Sequence, residues 1–366
     1  MSDRENVVED GLTTIPDRPP TRPTWMLGAV GFALGLGLGV LVVSPDPAVE
    51  TPVPTTTAVA DTPETTVGEP ALDSGVAGTI EGFPDAIVAI ARTPSTSLDH
   101  VLWPREGEVR VRSMTGGDHA ALDTSSQFIA FSDRVPGLDG LLLSMGRFNS
   151  IQPVASSVIS YAWHDTEAAH LSFTQFAGDL TRMYTVRADL NPVLVGELSV
   201  VGASVAGWGD WGWAIQQTPD EIVLLNPEGA FKDSEVGVVF ASHGSGWLFA
   251  MEEDEAKLVS AGGGVRRIQT PLEVGTVRRA AFSPDASRIA VVGSSGISVL
   301  DVETQEVSRL SDFTSLSVAW SSDSRFLLAA APSGVAVIDL EEPVVGYRVL
   351  DAYPAVAVGV LRLQAS

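Results

Sequence analysis

The sequence predicts an all-β chain, built from repeated four-stranded sheets and set behind one membrane-spanning helix and a disordered linker. Three observations carry this. A short segment near the C-terminus recurs after 38 residues. Apolar anchors at similar intervals continue upstream. A 19-residue uncharged run, Trp25 to Val43, precedes a Pro/Thr-rich stretch.

The repeat comes first, because a fixed period decides the architecture. One copy reads Ala281-Phe282-Ser283-Pro284-Asp285-Ala286-Ser287-Arg288-Ile289-Ala290, and the other Ala319-Trp320-Ser321-Ser322-Asp323-Ser324-Arg325-Phe326-Leu327-Leu328. Each is followed by a matched segment, Ser295–Asp301 and Ser333–Asp339. An apolar strand ends on an aromatic, Pro/Ser-Asp makes the turn, and a second strand begins. Gly296 or Gly334 turns the chain into a third strand. One such meander cannot bury both its faces, so it stacks on neighbours.

Upstream, an apolar anchor is followed seven residues later by another in Leu122/Ile129, Trp208/Ile215 and Phe240/Trp247, and Trp163 by Leu171. Later strands recur at Leu141–Ser144, Tyr184–Arg187, Ile222–Asn226 and Lys257–Ser260. Residues 85–366 divided by a period near 41 give a β-propeller of about seven four-stranded blades. The first blade takes Ala86–Ile90, His100–Trp103 and Val109–Ser113. The apolar segment Pro354–Leu363 is too short for a blade, so it is expected to pair with the first-blade strands and close the ring.

The Phe282–Ala290 segment resembles the WD40-like repeat of TolB-type β-propellers. That family favours Gly where Ala286 stands and Pro where Ser322 stands. The Gly-His and Trp-Asp signatures of typical WD40 repeats are missing. The resemblance is strong over residues 277–340 and faint over 85–260. It implies a propeller and an extracytoplasmic or interaction role, but no particular activity.

Composition narrows the function classes. No Cys is present, which excludes disulfides, thiolate metal sites, Cys nucleophiles and lipoprotein acylation. The formal charge is −24, so nucleic acid is not an expected partner.

Residues 1–24 are polar and hold four prolines, reading as a short cytoplasmic tail. Residues 25–43 at 1.5 Å rise span roughly 28 Å, the thickness of the hydrocarbon layer. A cleavable signal peptide is the competing reading, disfavoured by the long acidic lead before the apolar run. Arg18 and Arg22 precede the span, and no Lys or Arg follows until Arg92. The positive-inside rule therefore places the N-terminus in the cytoplasm and the propeller outside. Gly31, Gly35 and Gly39 share one helix face, a pattern that suits a homodimer through the helix. Residues 44–80 are Pro- and Thr-rich and form a spacer, leaving 81–366 for the propeller.

Trp208, Trp247 and Trp320 fall at repeat positions and read as core. Trp211 and Trp213 fall at a turn and a strand start, and are the candidates for a surface binding platform. His100, His119, His164, His170 and His243 are scattered, and metal ligation would need them to converge. Glu252–Glu255 reads as an exposed hairpin tip. His243-Gly244-Ser245-Gly246 is not a nucleophile elbow. No catalytic residue, cofactor site or metal site is assigned. The expected function is a membrane-anchored, extracytoplasmic binding or scaffolding module for an envelope protein or glycan. The alternative is a propeller hydrolase or lyase with a site at the channel mouth.

Overall fold

The computed structural model describes residues 72–73, 80–94, 98–106, 108–114, 119–134, 140–148, 150–188, 191–341, 347–351 and 354–361. The chain divides into Met1–Glu69 and Pro70–Ser366, and all of the described residues belong to the second unit. The tail, the apolar span with Gly31, Gly35 and Gly39, and nearly all of the linker lie outside the described residues. Among the described residues, no helix is long and apolar enough to cross a membrane.

The domain is all-β and propeller-like. Module 1 has the order β28 (Ala355–Leu361), β2 (Ala86–Arg92), β3 (Leu98–Trp103), β4 (Arg110–Met114). Module 2 consists of β5 (His119–Leu122), β6 (Phe128–Arg134), β7 (Leu141–Arg147) and the first part of β8 (Ser150–Trp163). Module 3 takes the rest of β8, with β9 (His170–Ala177), β10 (Leu180–Arg187) and β11 (Val193–Leu198). Modules 4 and 5 are β12 (Ser204–Gly209) to β15 (Phe231–Val236), and β16 (Val238–Ser242), β17 (Trp247–Glu252), β18 (Glu255–Ser260), β19 (Gly264–Arg267). Module 6 runs β20 (Val277–Phe282), β21 (Arg288–Gly293), β22 (Gly296–Asp301), β23 (Val307–Ser311). Module 7 is β24 (Val318–Trp320), β25 (Phe326–Ala331), β26 (Gly334–Asp339) and β27 (Tyr347–Asp351). Outside it β1 (Leu72–Asp73) pairs in parallel with β27, so pairing reaches into the segment read as linker.

The first strand of each module touches the first strand of the next. β28 meets β5, β8 meets β12, β12 meets β16, β16 meets β20, β20 meets β24, and β24 returns to β28. The remaining step, β5 to β8, is made by the Trp163 indole donating to Ala121 O at 3.1 Å. The same bond recurs as Trp208 to Ala162 O at 3.0 Å and Trp320 to Ala281 O at 3.0 Å. A small residue before the anchor leaves its carbonyl open to the next module's indole.

Ring closure follows the expected pairing. β28 lies antiparallel to β2, with Ala86 opposite Leu361 and Ile90 opposite Ala357. Several second and third strands are covered on both faces and read as nearly unbroken apolar runs. Phe326–Ala331 is wholly buried, as is Ile289–Gly293. Among fourth strands, Gly264–Arg267 is exposed throughout, whereas Val349 and Leu350 of β27, which β1 flanks, are buried. Between modules 2 and 3 there is no loop. β8 crosses directly, bending at Ser157, whose φ is +55°.

Two of the seven-residue spacings do not mark facing pairs. In module 4, Trp208 faces Trp213 rather than Ile215, because the turn Gly209–Gly212 is short. In module 5 a β-bulge falls at Phe240, between Val239 and Ala241. One extra residue flips the alternation. The anchor position is therefore Ser242, and Trp247, expected in the core, is 37% exposed.

Candidate functional site

The turns joining first to second strands gather on one face of the ring. In modules 2, 3, 5, 6 and 7 the turn begins with a side chain that caps the following backbone N–H groups. Asp123 Oδ1 accepts from Gln127 N and Phe128 N, both at 3.0 Å. Ser283 Oγ accepts from Arg288 N, and Ser321 Oγ from Phe326 N, each at 2.9 Å. In modules 3 and 5 an imidazole takes the same place. His164 Nδ1 accepts from Thr166 N at 3.2 Å and Glu167 N at 2.9 Å, and His243 Nδ1 from Ser245 N at 3.1 Å. The Ser245 hydroxyl, 2.7 Å from His243 Nδ1, repeats the Ser125-to-Asp123 bond of module 2 at 2.8 Å. The pair is thus part of a turn-capping arrangement.

Further hydrogen bonds tie neighbouring turns together. Ala169 N reaches Asp123 Oδ2 at 3.1 Å, Asp285 N reaches Ser324 Oγ at 3.4 Å, and Ser322 N and Oγ reach Asp85 at 2.7 and 2.8 Å. His243 Nε2 lies 3.4 Å from Pro284 O. The densest link is Asp165. Its carboxylate accepts from Ser242 Oγ at 2.7 Å and Trp211 Nε1 at 3.2 Å, joining modules 3, 4 and 5. Burial pushes its pKa up to about 6, against the pull of those two donors. Absent side chains make room for it: a Cβ on Gly207 would sit 2.4 Å from Ser242 Oγ, and one on Gly244 would sit 2.3 Å from Thr166 Cγ2.

His164, Glu167 and His170 place donor atoms within 4.8 Å of one another, a spacing at which a metal ion could be held. Their bonds show another use. The His164 Nδ1 lone pair is taken by two backbone N–H groups, so the ring proton of the neutral form sits on Nε2, 3.7 Å from Asp210 Oδ1. Glu167 Oε2 is shared by His170 Nδ1 and Arg187 Nη2, both at 2.6 Å. Burial holds both imidazoles below the usual histidine pKa. Both rings also stand edge-on to Trp208 at 4.6 and 4.5 Å. The cluster is a capped, ion-paired turn. Among the described side chains, His100 and His243 do not belong to it.

The tryptophans are placed differently from the sequence reading. Trp213 is 5% exposed, stacked 5.6 Å from Trp208 and donating to Ser172 Oγ at 3.2 Å. It is core, because the short turn moves it into the position opposite the anchor. Trp211 is half-buried, its Cβ 3.3 Å from where a Cβ on Gly246 would stand. It fills the gap that Ser242 leaves between modules 4 and 5. Trp208 and Trp320 are core, as expected. The aromatic left on the turn face is Trp247, whose carbonyl accepts from His243 N at 2.9 Å. Ser242 pairs with Leu248, one residue closer than Phe282 with Ile289, and that shorter turn is hidden by the unchanged seven-residue spacing from Phe240 to Trp247.

No protein-family model matches the chain, and no curated protein matches it. Among solved structures it is similar to TolB from Acinetobacter baumannii, with TM-score 0.44 and 12% identity over 76% of this chain and 67% of that one. It is also similar to Saccharomyces cerevisiae Sqt1, with TM-score 0.49 and 14% identity over 75% and 88%. For Kluyvelomyces marxianus Hsv2 the TM-score is 0.44, at 11% identity over 60% and 75%. Each TM-score is below 0.5, and the order of modules around the ring rests on this chain's own pairings and contacts.

Proposed function

We propose that the domain is a seven-bladed propeller serving as a binding module, whose turn face docks a protein or glycan of the cell envelope. The observation that carries this is Trp247. A tryptophan 37% exposed on a face of cross-linked turns is a preorganised aromatic contact, the kind that dominates interface energies. Residues 25–43 hold the module to the bilayer as a single-pass helix, with residues 1–24 in the cytoplasm and 44–80 as spacer. The one-sided Arg18 and Arg22 flank supports that orientation, and Gly31, Gly35 and Gly39 support pairing of two such helices. The net charge of −24 supports a partner other than nucleic acid.

The test uses the full chain recovered from solubilised membranes, with a photo-crosslinking residue at position 247 or at exposed Val265. Adducts at 247 and none at 265 are expected, and Trp247→Ala should lose the partner while melting as the parent does. Equal recovery by Trp247→Ala would overturn the reading. Protease added to intact spheroplasts should digest the propeller and spare cytosolic controls; full protection would reverse the topology.

A further inference from the structure

We propose that the groove between modules 1 and 2 is a binding site for a small amphiphile: an anionic head group, carboxylate or phosphate, on an apolar or aromatic body. The cavity there measures about 470 Å³, within the range of small-molecule sites. It lies apart from Trp247, and its module 2 wall includes Ser126 and Gln127 of the Asp123-capped turn.

The sheet of module 1 supplies one wall, and its rungs are graded. One rung runs from Val88 through Leu102 to Arg110, and the next from Ile90 through His100 to Arg112. Along both, apolar side chains near the ring interior give way to guanidinium groups on β4, which is the free edge of that sheet. Module 2 supplies the facing wall, with Phe148 stacked on His100 at 3.7 Å between centroids and Arg147 beside it.

Three arginines converging on one groove run against the composition, since the chain carries 46 acidic residues to 22 basic ones. Elsewhere in the domain the ion-paired arginines each hold a carboxylate, as Arg325 holds Asp339 and Arg182 holds Glu197. Among the described residues, no carboxylate lies in ion-pair range of Arg110, Arg112 or Arg147. Arg147 instead lies over the Phe128 ring, 5.1 Å from its centroid. Planar guanidinium forks match a carboxylate or phosphate in pairs.

His100 adds a second, independent sign. Its Nε2 is buried and has no hydrogen-bond partner. Buried polar nitrogens are nearly always satisfied, so an unpaired one in a side chain that lines the cavity is an unfilled hydrogen-bonding position in its wall. Burial, with the Arg112 charge, lowers the His100 pKa to about 4. The ring is therefore neutral at pH 7 and offers a hydrogen bond without repelling the head group's arginine partners. Val88 and Leu102 take the apolar body, and Arg110, Arg112 and Arg147 take the head.

Four probes decide it: 4-butylbenzoate, 4-butylphenyl phosphate, uncharged 4-butylphenol and inorganic phosphate, each dialysed to equilibrium against the full chain in nanodiscs. At least one of the two amphiphilic anions should bind at least tenfold more tightly than both butylphenol and inorganic phosphate, and the stronger of the two identifies the head group. Arg112→Gln with Arg147→Gln should weaken it at least tenfold, and His100→Phe, which keeps the stack, severalfold. Arg266→Gln, on module 5, should change nothing. Arg110→Gln on the exposed edge strand gives the same test should the double variant fail to fold. Undiminished binding by the arginine variants, or no binding by either anion, would overturn the proposal. So would binding that begins only when residues 362–366 are deleted, since the chain's own segment would then be the occupant.

Discussion

Ala286 and Asp165 show how single side chains are held against their preferences. Ala286 sits at φ +59°, in a turn position that Ser126, Ala169 and Ser324 also occupy with positive φ and that Gly246 fills in module 5. A Cβ there costs about 1 kcal/mol. Ala286→Gly should therefore stabilise the domain by roughly 0.5–1 kcal/mol, read as a small upward shift of the denaturant midpoint; a downward shift would refute it. Asp165 has a folded pKa of about 6, above its unfolded value of 3.8. Its contribution to stability is thus full below about pH 4 and lost as pH rises through 6. Asp165→Asn should gain on the parent by about 1–2 kcal/mol between pH 4 and pH 8, after allowing for solvent screening. Denaturant curves at the two pH values check this, and parallel curves would refute it. The turn position of Ala286 was visible in the sequence from the matched Pro284-Asp285 and Ser322-Asp323 turns. The Asp165 network was not, because Ser242 lies 77 residues away and takes its place through a bulge.

At the scale of the strand and turn, Trp211 and Trp247 exchange the roles the sequence suggested. Trp211 plugs the junction of modules 4 and 5, so Trp211→Ala should cost about 2–4 kcal/mol through a cavity and an unpaired Asp165 acceptor. Trp320→Ala, which also frees the Ala281 carbonyl, should cost about 3–5 kcal/mol. Trp247→Ala should change stability by less than about 0.5 kcal/mol. Thermal melts of the three variants order them, and a destabilised Trp247→Ala would place that residue back in the core. The strands themselves were legible: alternation, turn residues and the glycines at 296 and 334 located Arg288–Gly293 through Asp339 nearly to the residue. Where turns shorten or a bulge intervenes, as at Gly209–Gly212 and Phe240, spacing keeps its count and loses its face. That is why Trp213 and Trp247 were misplaced.

For the whole ring, closure was legible because two orphaned apolar segments, Ala86–Ile90 and Pro354–Leu363, each lacked a partner. Deleting residues 352–366 should remove β28 from between β24, β5 and β2, giving loss of the cooperative melt or aggregation. A monomeric, normally melting truncation would refute the role of β28. The groove between modules 1 and 2 was not legible. Arg110, Arg112 and Arg147 are spread across two modules, and only the register of β3, β4 and β7 brings them together.

The pairing of β28 with β2 also sets a schedule for biosynthesis. About 260 residues separate Arg92 from Ala355. At 5–20 residues per second, β2 leaves the ribosome roughly 13–50 s before the strand that will cover it. Its run Ala-Ile-Val-Ala-Ile-Ala is uncharged and fully buried in the finished ring, the type of segment that pairs with other chains while it waits. Nascent chains halted anywhere short of residue 355 should need a holding chaperone, and release from it should coincide with emergence of the last strand.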